Sequence, residues 1–291
     1  CALPISGNWR VYDYASNDYG FATSNYRGTF TSGSATATSA SFGPFTNAGV
    51  SAASNATGGQ CGYTGSGQSI RALLTNNFTA GAYSVVIGND DNYRISFDGG
   101  STWSYSGTCC GNQTNTSLLN GTYNIVYQGN NGGGGGATYN ASITCLPAVA
   151  GTLSVSQTCG SSSGTLTLTG QTGYIQWQTS TDGSTWTNLG GLVTSNTLGV
   201  TPGTTTFYRA QVWSCGSSTN SNVVAVTSSG TISGNVVIAN NLTMGGTINV
   251  SGDFTLNSGS TITVQQGCPL VINAANITIN GTINGNGAGY T

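Results

Sequence analysis

Acid–base chemistry near neutral pH relies mostly on histidine, glutamate and lysine, and this chain of 291 residues contains none of them. A serine nucleophile would have neither His nor Lys to take its proton. Seven aspartates remain, of which Asp90 and Asp91 form the one adjacent pair. Neighbouring side chains on regular backbone point apart, so this pair is badly placed to flank a glycosidic bond at the usual separation of roughly 5–9 Å. The expectation is a non-enzymatic protein. The same residues suit a metal better. A hard cation such as calcium takes roughly six to eight oxygens, and Asn89-Asp90-Asp91-Asn92 offers carboxylates and carbonyls. Asp and Asn clusters are also ordinary turn formers, so both readings stand.

The rest of the charge is five arginines: Arg10, Arg27, Arg71, Arg94 and Arg209. Charged residues make up 4% of the chain, against roughly 25% in an ordinary soluble domain. Ser, Thr, Asn and Gly take their place. Such a surface is hydrated by hydroxyls and amides, carries sugar, or is buried against copies of itself, and all three routes point outside the cell. A net charge of −2 without a basic patch argues against nucleic acid. No apolar run approaches the roughly 18 residues of a membrane span.

The eight cysteines, lacking zinc-finger spacing and any histidine, point to disulfides in an oxidising compartment. The chain opens at Cys1 and reads as a processed product, with Cys1 in a disulfide preferred over a lipid-modified Cys1. Asn-x-Ser/Thr sequons begin at Asn55, Asn77, Asn112, Asn115, Asn120, Asn140, Asn241, Asn249, Asn276 and Asn280. Abundant Asn, Ser and Thr create some of these by chance, but the trio at Asn112, Asn115 and Asn120 suggests a glycosylated loop.

Without Glu and Lys the best solvent-facing helix formers are gone, and the remaining Thr, Tyr, Val and Ile favour strands. The fold class expected is all-β: two β-sandwich domains followed by a short β-solenoid or strand-rich carboxy-terminal segment. Texture changes place the boundaries at 1–149, 150–229 and 230–291. In the first segment, Tyr83–Ile87 and Tyr93–Phe97 alternate as strands around a turn at 88–92, and Asp98-Gly99-Gly100 turns the chain toward Trp103. The run Gly132 to Gly136 reads as a hairpin loop rather than a linker. In the last segment, apolar pairs two residues apart recur at Val236/Ile238, Leu242/Met244, Ile248/Val250, Phe254/Leu256, Ile262/Val264, Leu270/Ile272 and Ile277/Ile279. That pattern fits the rungs of a β-solenoid, and a meandering sheet would share it.

The stretch Asn77-Phe78-Thr79-Ala80-Gly81-Ala82-Tyr83, then Ile87 to Asp91 and Phe97-Asp98-Gly99, resembles the lectin-like β-sandwich of anthrax protective antigen and yeast flocculins over about residues 5–146. The resemblance implies that Asp90 and Asp91, with Asn89 or Asn92, hold a calcium ion that contacts sugar hydroxyls. Residues from about 150 to 228 resemble an immunoglobulin-like module of secreted bacterial adhesins. The residues that carry this are Thr165–Leu168, Tyr174–Gln178, Asp182–Trp186 and Thr206–Arg209 leading to Cys215. It places Trp177 in the core, with sugar stacking as the alternative role, and pairs Cys159 with Cys215. Cys61 is expected to pair with Cys109 or Cys110, and Cys1 with Cys145. One cysteine of the first segment is then left for Cys268, for another chain, or unpaired.

A short solenoid cannot bury its end rungs, and stacking such an end on another copy gives an open, head-to-tail array. The main functional expectation is therefore a subunit of a glycosylated cell-surface filament or adhesive fibre whose partners are copies of itself. The rival is a calcium-dependent glycan-binding module of a larger adhesin, with carbohydrate as its partner.

Overall fold

A computed structural model describes residues 7–15, 21, 26–46, 68–89, 91–108, 111–131 and 138–289. Every regular element among them is a β-strand. The chain divides into two compact units, Cys1–Leu146 and Pro147–Thr291.

The amino-terminal unit is built on two long antiparallel strands, Gln68–Asn89 and Gly111–Asn131. They pair from Gln68↔Asn131 to Asn89↔Gly111, with a register shift between Phe78 and Gly81. Strands Thr138–Cys145 and Ser39–Thr46 extend the sheet on one side, and Asn92–Ser96 with Tyr105–Thr108 extend it on the other. Aromatic rings fill the core: Phe42 lies 4.9 Å from Trp9 and 5.0 Å from Tyr127, centre to centre. Both strands expected from alternation are present, but they do not form a hairpin with each other. Val85 pairs with Asn115 and Ile143, whereas Tyr93 pairs with Gly129 and Gly107. The chain crosses from one end of Gly111–Asn131 to the other because apolar residues on both segments must reach the same core. The Gly132 to Gly136 run lies outside the described residues.

The carboxy-terminal unit opens with a sandwich. One sheet holds Thr152–Ser156, Gly164–Thr169 and Thr197–Val200. The other holds Thr187–Val193, Tyr174–Ser180, Thr204–Ser214 and Ser217–Asn220, with Val224–Ser229 also paired to Thr204–Ser214. Leu153, Leu166, Leu168, Ile175, Trp177 and Val212 form its core. Trp177 is 3% exposed, which removes it as a sugar platform.

From Thr231 the chain winds into a parallel coil of three turns, each contributing one strand to each of three parallel sheets. The apolar pairs of the sequence stack in columns: Val236 on Phe254 on Ile277, Ile238 on Leu256 on Ile279, Leu242 on Ile262 on Ile283. This is the short solenoid, not a meander. Asn and Thr occupy most outward positions, with Val237 and Val271 as exceptions, and an amide ladder runs along one side, with Asn273 Nδ2 donating to Asn249 Oδ1 at 2.8 Å.

Sandwich and coil share one core. Phe207, Val223 and Ala225 of the sandwich pack in the same cluster as Ile232, Val236 and Phe254 of the coil. The change near residue 230 is thus a change of architecture inside one compact unit. The turn at Gly183 sits directly on the coil: its φ is +77°, and a Cβ there would stand 2.5 Å from the Val237 carbonyl oxygen. Glycine is required there on both counts.

Candidate functional site

At the Asn89–Asn92 turn, Asn89 ends one long strand and Asn92 begins the next, with two residues between them. Asp91 takes a φ of +104°, a region that L residues rarely occupy. Asp90, the other expected calcium ligand, lies outside the described residues. Among the described residues no group of three or more His, Cys, Asp or Glu is placed to hold a metal ion.

Two other aspartates are tightly engaged. Asp98 accepts from Ser96 Oγ at 2.6 Å, Thr102 N at 2.9 Å and Thr102 Oγ1 at 2.6 Å, using both carboxylate oxygens. The Ser96 hydroxyl and then Thr102 hold its carboxyl well below the usual carboxylate range. At Asp182, burial works to raise the pKa. Hydrogen bonds from Thr185, Ser184 and Ser180 outweigh it, so the carboxyl again sits well below the ordinary range. Each carboxylate accepts three hydrogen bonds from its own turn, which makes both turn anchors.

Each of these turns ends in a tryptophan covered by an arginine. Arg94 lies 4.0 Å from the Trp103 ring centre and Arg209 lies 4.3 Å from that of Trp186. Both Nε atoms donate to the glutamine directly opposite on the neighbouring strand, Arg94 to Gln128 at 2.8 Å and Arg209 to Gln178 at 2.7 Å. The sequence shows the Asp-Gly turns, but the arginines come from other strands or earlier positions and carry no local signal.

The expected Cys159–Cys215 bridge is not formed. Cys159 is bonded to Cys268 in the coil, with Cα atoms 5.5 Å apart. The reason is the abutting coil: just before Cys159, the Gln157 carbonyl accepts from Gln265 Nε2 at 3.1 Å, which brings the following turn against Cys268. Cys145 and Cys215 are disulfide-bonded as well. Cys1, Cys61, Cys109 and Cys110 lie outside the described residues, as does Asn55.

The sequon trio lies on a strand, Gly111–Asn131, and not in a loop. Asn112 and Asn120 are exposed there, and so are Asn77 on its strand and Asn241, Asn276 and Asn280 between strands of the coil, whereas Asn115, Asn140 and Asn249 are half-buried. The amide nitrogen of Asn115 is enclosed, and those of Asn249 and Asn276 are donated to Ser229 O and Asp253 Oδ1.

Within the carboxy-terminal unit, a cleft of about 410 Å³ separates the first sandwich strand from the coil. Leu153, Val155, Asn222, Thr243, Thr263 and Gln265 line it, without a charge or an aromatic ring. The Asn222 carboxamide bonds both the N–H and the C=O of Leu153 at 2.8 Å, closing part of that strand's free edge.

The other feature is the end of the coil. Val236 and Phe254 are fully buried while Ile277, next in their column, is 49% exposed. Leu256 gives way to Ile279 at 42% and Ile262 to Ile283 at 41%. Among the described residues, three core columns thus end in half-exposed isoleucines.

Residues 149–230 match the model of a family described as a domain of unknown function (DUF8696). No curated protein matches the chain. Among solved structures, a subtype-switched epithelial adhesin A domain from Candida glabrata, in complex with β-lactose, is similar at 13% identity. That match covers 49% of this chain and 84% of that one, with a TM-score of 0.34. The adhesin domain of Epf from Streptococcus pyogenes is similar at 9% identity, covering 76% and 92%, with a TM-score of 0.28. A β-1,2-glucanase from Parabacteroides distasonis is similar at 11% identity, covering 77% of this chain and 37% of the enzyme, with a TM-score of 0.25. Scores this low establish neither a shared fold nor a shared function.

Proposed function

We propose that this chain is a non-enzymatic structural module of an extracellular surface fibre, adding copy to copy through the open end of its carboxy-terminal coil. The observation that carries the reading is the exposure of Ile277, Ile279 and Ile283 at the ends of columns that are buried in the two preceding turns. Half-exposed isoleucines and strand edges left unpaired among the described residues favour a partner that continues both the ladder and the columns. No Lys, Arg, Asp or Glu occurs between Leu270 and Asn284 to discourage that contact. A contact at this end involves a different surface on the neighbour, so it need not close on itself. The Cys159–Cys268 disulfide supports an oxidising location, and exposed Asn112 and Asn120 are positions where sugar would sit on the surface.

Negative-stain microscopy of the full chain, beside an Ile279→Asp variant of unchanged melting temperature, tests this. Ordered fibres from the parent and monomers from the variant are expected. A parent that stays monodisperse at high concentration, or a variant that still forms fibres, would refute assembly through this end.

A further inference from the structure

Arg10, Arg71 and Arg94 stand on one face of one sheet, in a chain with only five arginines. In the amino-terminal unit, strand Trp9–Ala15 pairs with Gln68–Asn89, which pairs with Gly111–Asn131, which in turn pairs with Asn92–Ser96. The register sets Tyr12 opposite Arg71, Arg71 opposite Gln128 and Gln128 opposite Arg94, so one row crosses four strands. Residues directly opposite share a face, and Arg10, two positions from Tyr12, lies on that face too. The alternate residues Val11, Ala72, Tyr127 and Ile95 point the other way and are fully buried in the core. No aspartate stands in this row or in the next, Arg10–Leu73–Val126–Ser96. Asp98, two residues beyond Ser96, is held by its own turn.

We infer that this face binds a linear polysaccharide bearing carboxylates, with Arg71 and Gln128 holding one of them. Among the described residues Arg71 has no hydrogen-bond or ion-pair partner, and its Nε is enclosed without an acceptor. Gln128 is 5% exposed and accepts from Arg94 through Oε1, while its Nε2 donates to nothing among the described residues. A buried amide and a guanidinium left unpartnered side by side are costly until something accepts from them. A carboxylate accepts from both, and its charge relieves the repulsion among the three cations. The backbone of these four strands is committed to the ladders, so an extended peptide finds no strand edge here. Side chains alone offer contacts, which suits a ligand of hydroxyls and carboxylates. Tyr12 at one end of the row, and Trp103 stacked 4.0 Å from Arg94 at the other, supply ring surface for the apolar faces of sugars. Arg10, Tyr12, Arg71, Arg94 and Trp103 are all partly exposed. The row spans three strand spacings, roughly 14 Å, which is longer than one sugar ring. The site uses residues of the amino-terminal unit alone and is independent of assembly through the coil.

Titration calorimetry on the full chain with polygalacturonate tests this, with chelator present so that calcium takes no part. Saturable binding is expected, weakening as salt rises from about 50 to 500 mM, with no binding to neutral dextran. Arg71→Gln, folded as judged by its melting transition, should weaken binding by about tenfold or more, roughly the loss of one charged hydrogen bond. If that variant does not fold, Arg10→Gln on the neighbouring row should lower the affinity several-fold. A parent chain that ignores polygalacturonate, binds dextran equally well, or binds dextran sulfate but not polygalacturonate overturns the inference. Folded variants that bind like the parent overturn it as well.

Discussion

The guanidinium of Arg94 lies 4.0 Å over the ring of Trp103, and its Nε donates to Gln128 on the adjacent strand. The carboxy-terminal unit repeats the arrangement with Arg209, Trp186 and Gln178. In each case the tryptophan follows a Ser-x-Asp-Gly turn whose serine and aspartate bond each other. Two of the five arginines in the chain are thus used to cover tryptophans at turns. An exposed indole would invite association in a protein with so little surface charge, and a planar cation covers it while staying partly hydrated.

Removing Arg209 should therefore cost more than a surface charge does. A desolvated cation–π contact contributes on the order of 2 kcal/mol and a charged hydrogen bond contributes a similar amount. Arg209→Ala should lower the melting temperature of the carboxy-terminal unit by several degrees, with Arg209→Lys nearly as damaging because lysine cannot stack and donate sideways together. Calorimetry on both variants checks this, and an unchanged melting temperature for Lys would mean that only charge matters.

Stability should be flat from about pH 5 to 8, because no side chain in the chain normally titrates there. Asp98 and Asp182 have folded pKa values below the unfolded value of about 3.9. Depressed carboxyls stabilise the fold above the unfolded pKa, and that contribution is lost as pH falls through the folded values. Melting temperatures should hold between pH 5.5 and 7.5 and fall below about pH 4, and Asp182→Asn should weaken the acid dependence. A shift of many degrees between pH 5.5 and 7.5 would contradict this.

One column of the coil should give opposite answers at two positions. Leu256 is fully buried and Ile279, directly beyond it, is 42% exposed. Leu256→Ala should cost about 2–5 kcal/mol through transfer and cavity terms. Ile279→Ala should cost well under half of that in the isolated chain. Denaturant midpoints of the two variants decide it, and equal losses would mean that the end of the coil is covered.

Deleting residues 230–291 should not leave a well-behaved remainder. Phe207, Val223 and Ala225 are at most 5% exposed and pack with coil residues. Stripping the coil uncovers that face and removes the partner of Cys159. The truncated chain should aggregate or melt at markedly lower temperature, as light scattering and calorimetry would show. A soluble fragment of unchanged stability would mean that the sandwich owes nothing to the shared core.

The sequence by itself determined what depends on local chemistry. Period-two apolar pairs from Val236 to Ile279 specify short strands with one apolar face, and the coil stacks them in columns that are buried in the first two turns and half-exposed at Ile277 and Ile279. The absence of Glu and Lys, together with turn residues such as Asp98-Gly99, set an all-β chain, and Trp177 is in the core, as the immunoglobulin-like resemblance implies. Tertiary structure alone decided the long-range choices. Which strand Tyr93 meets depends on where the whole Gly111–Asn131 strand runs, and nothing within a few residues of Tyr93 encodes that. Cys159 bonds Cys268 because the coil docks against the sandwich edge, and loop spacing within the sandwich holds no information about a neighbour added later in the chain. Local propensity is fixed by each residue and the next few, whereas partners at separations of about a hundred residues are fixed by the packing that satisfies every buried face together.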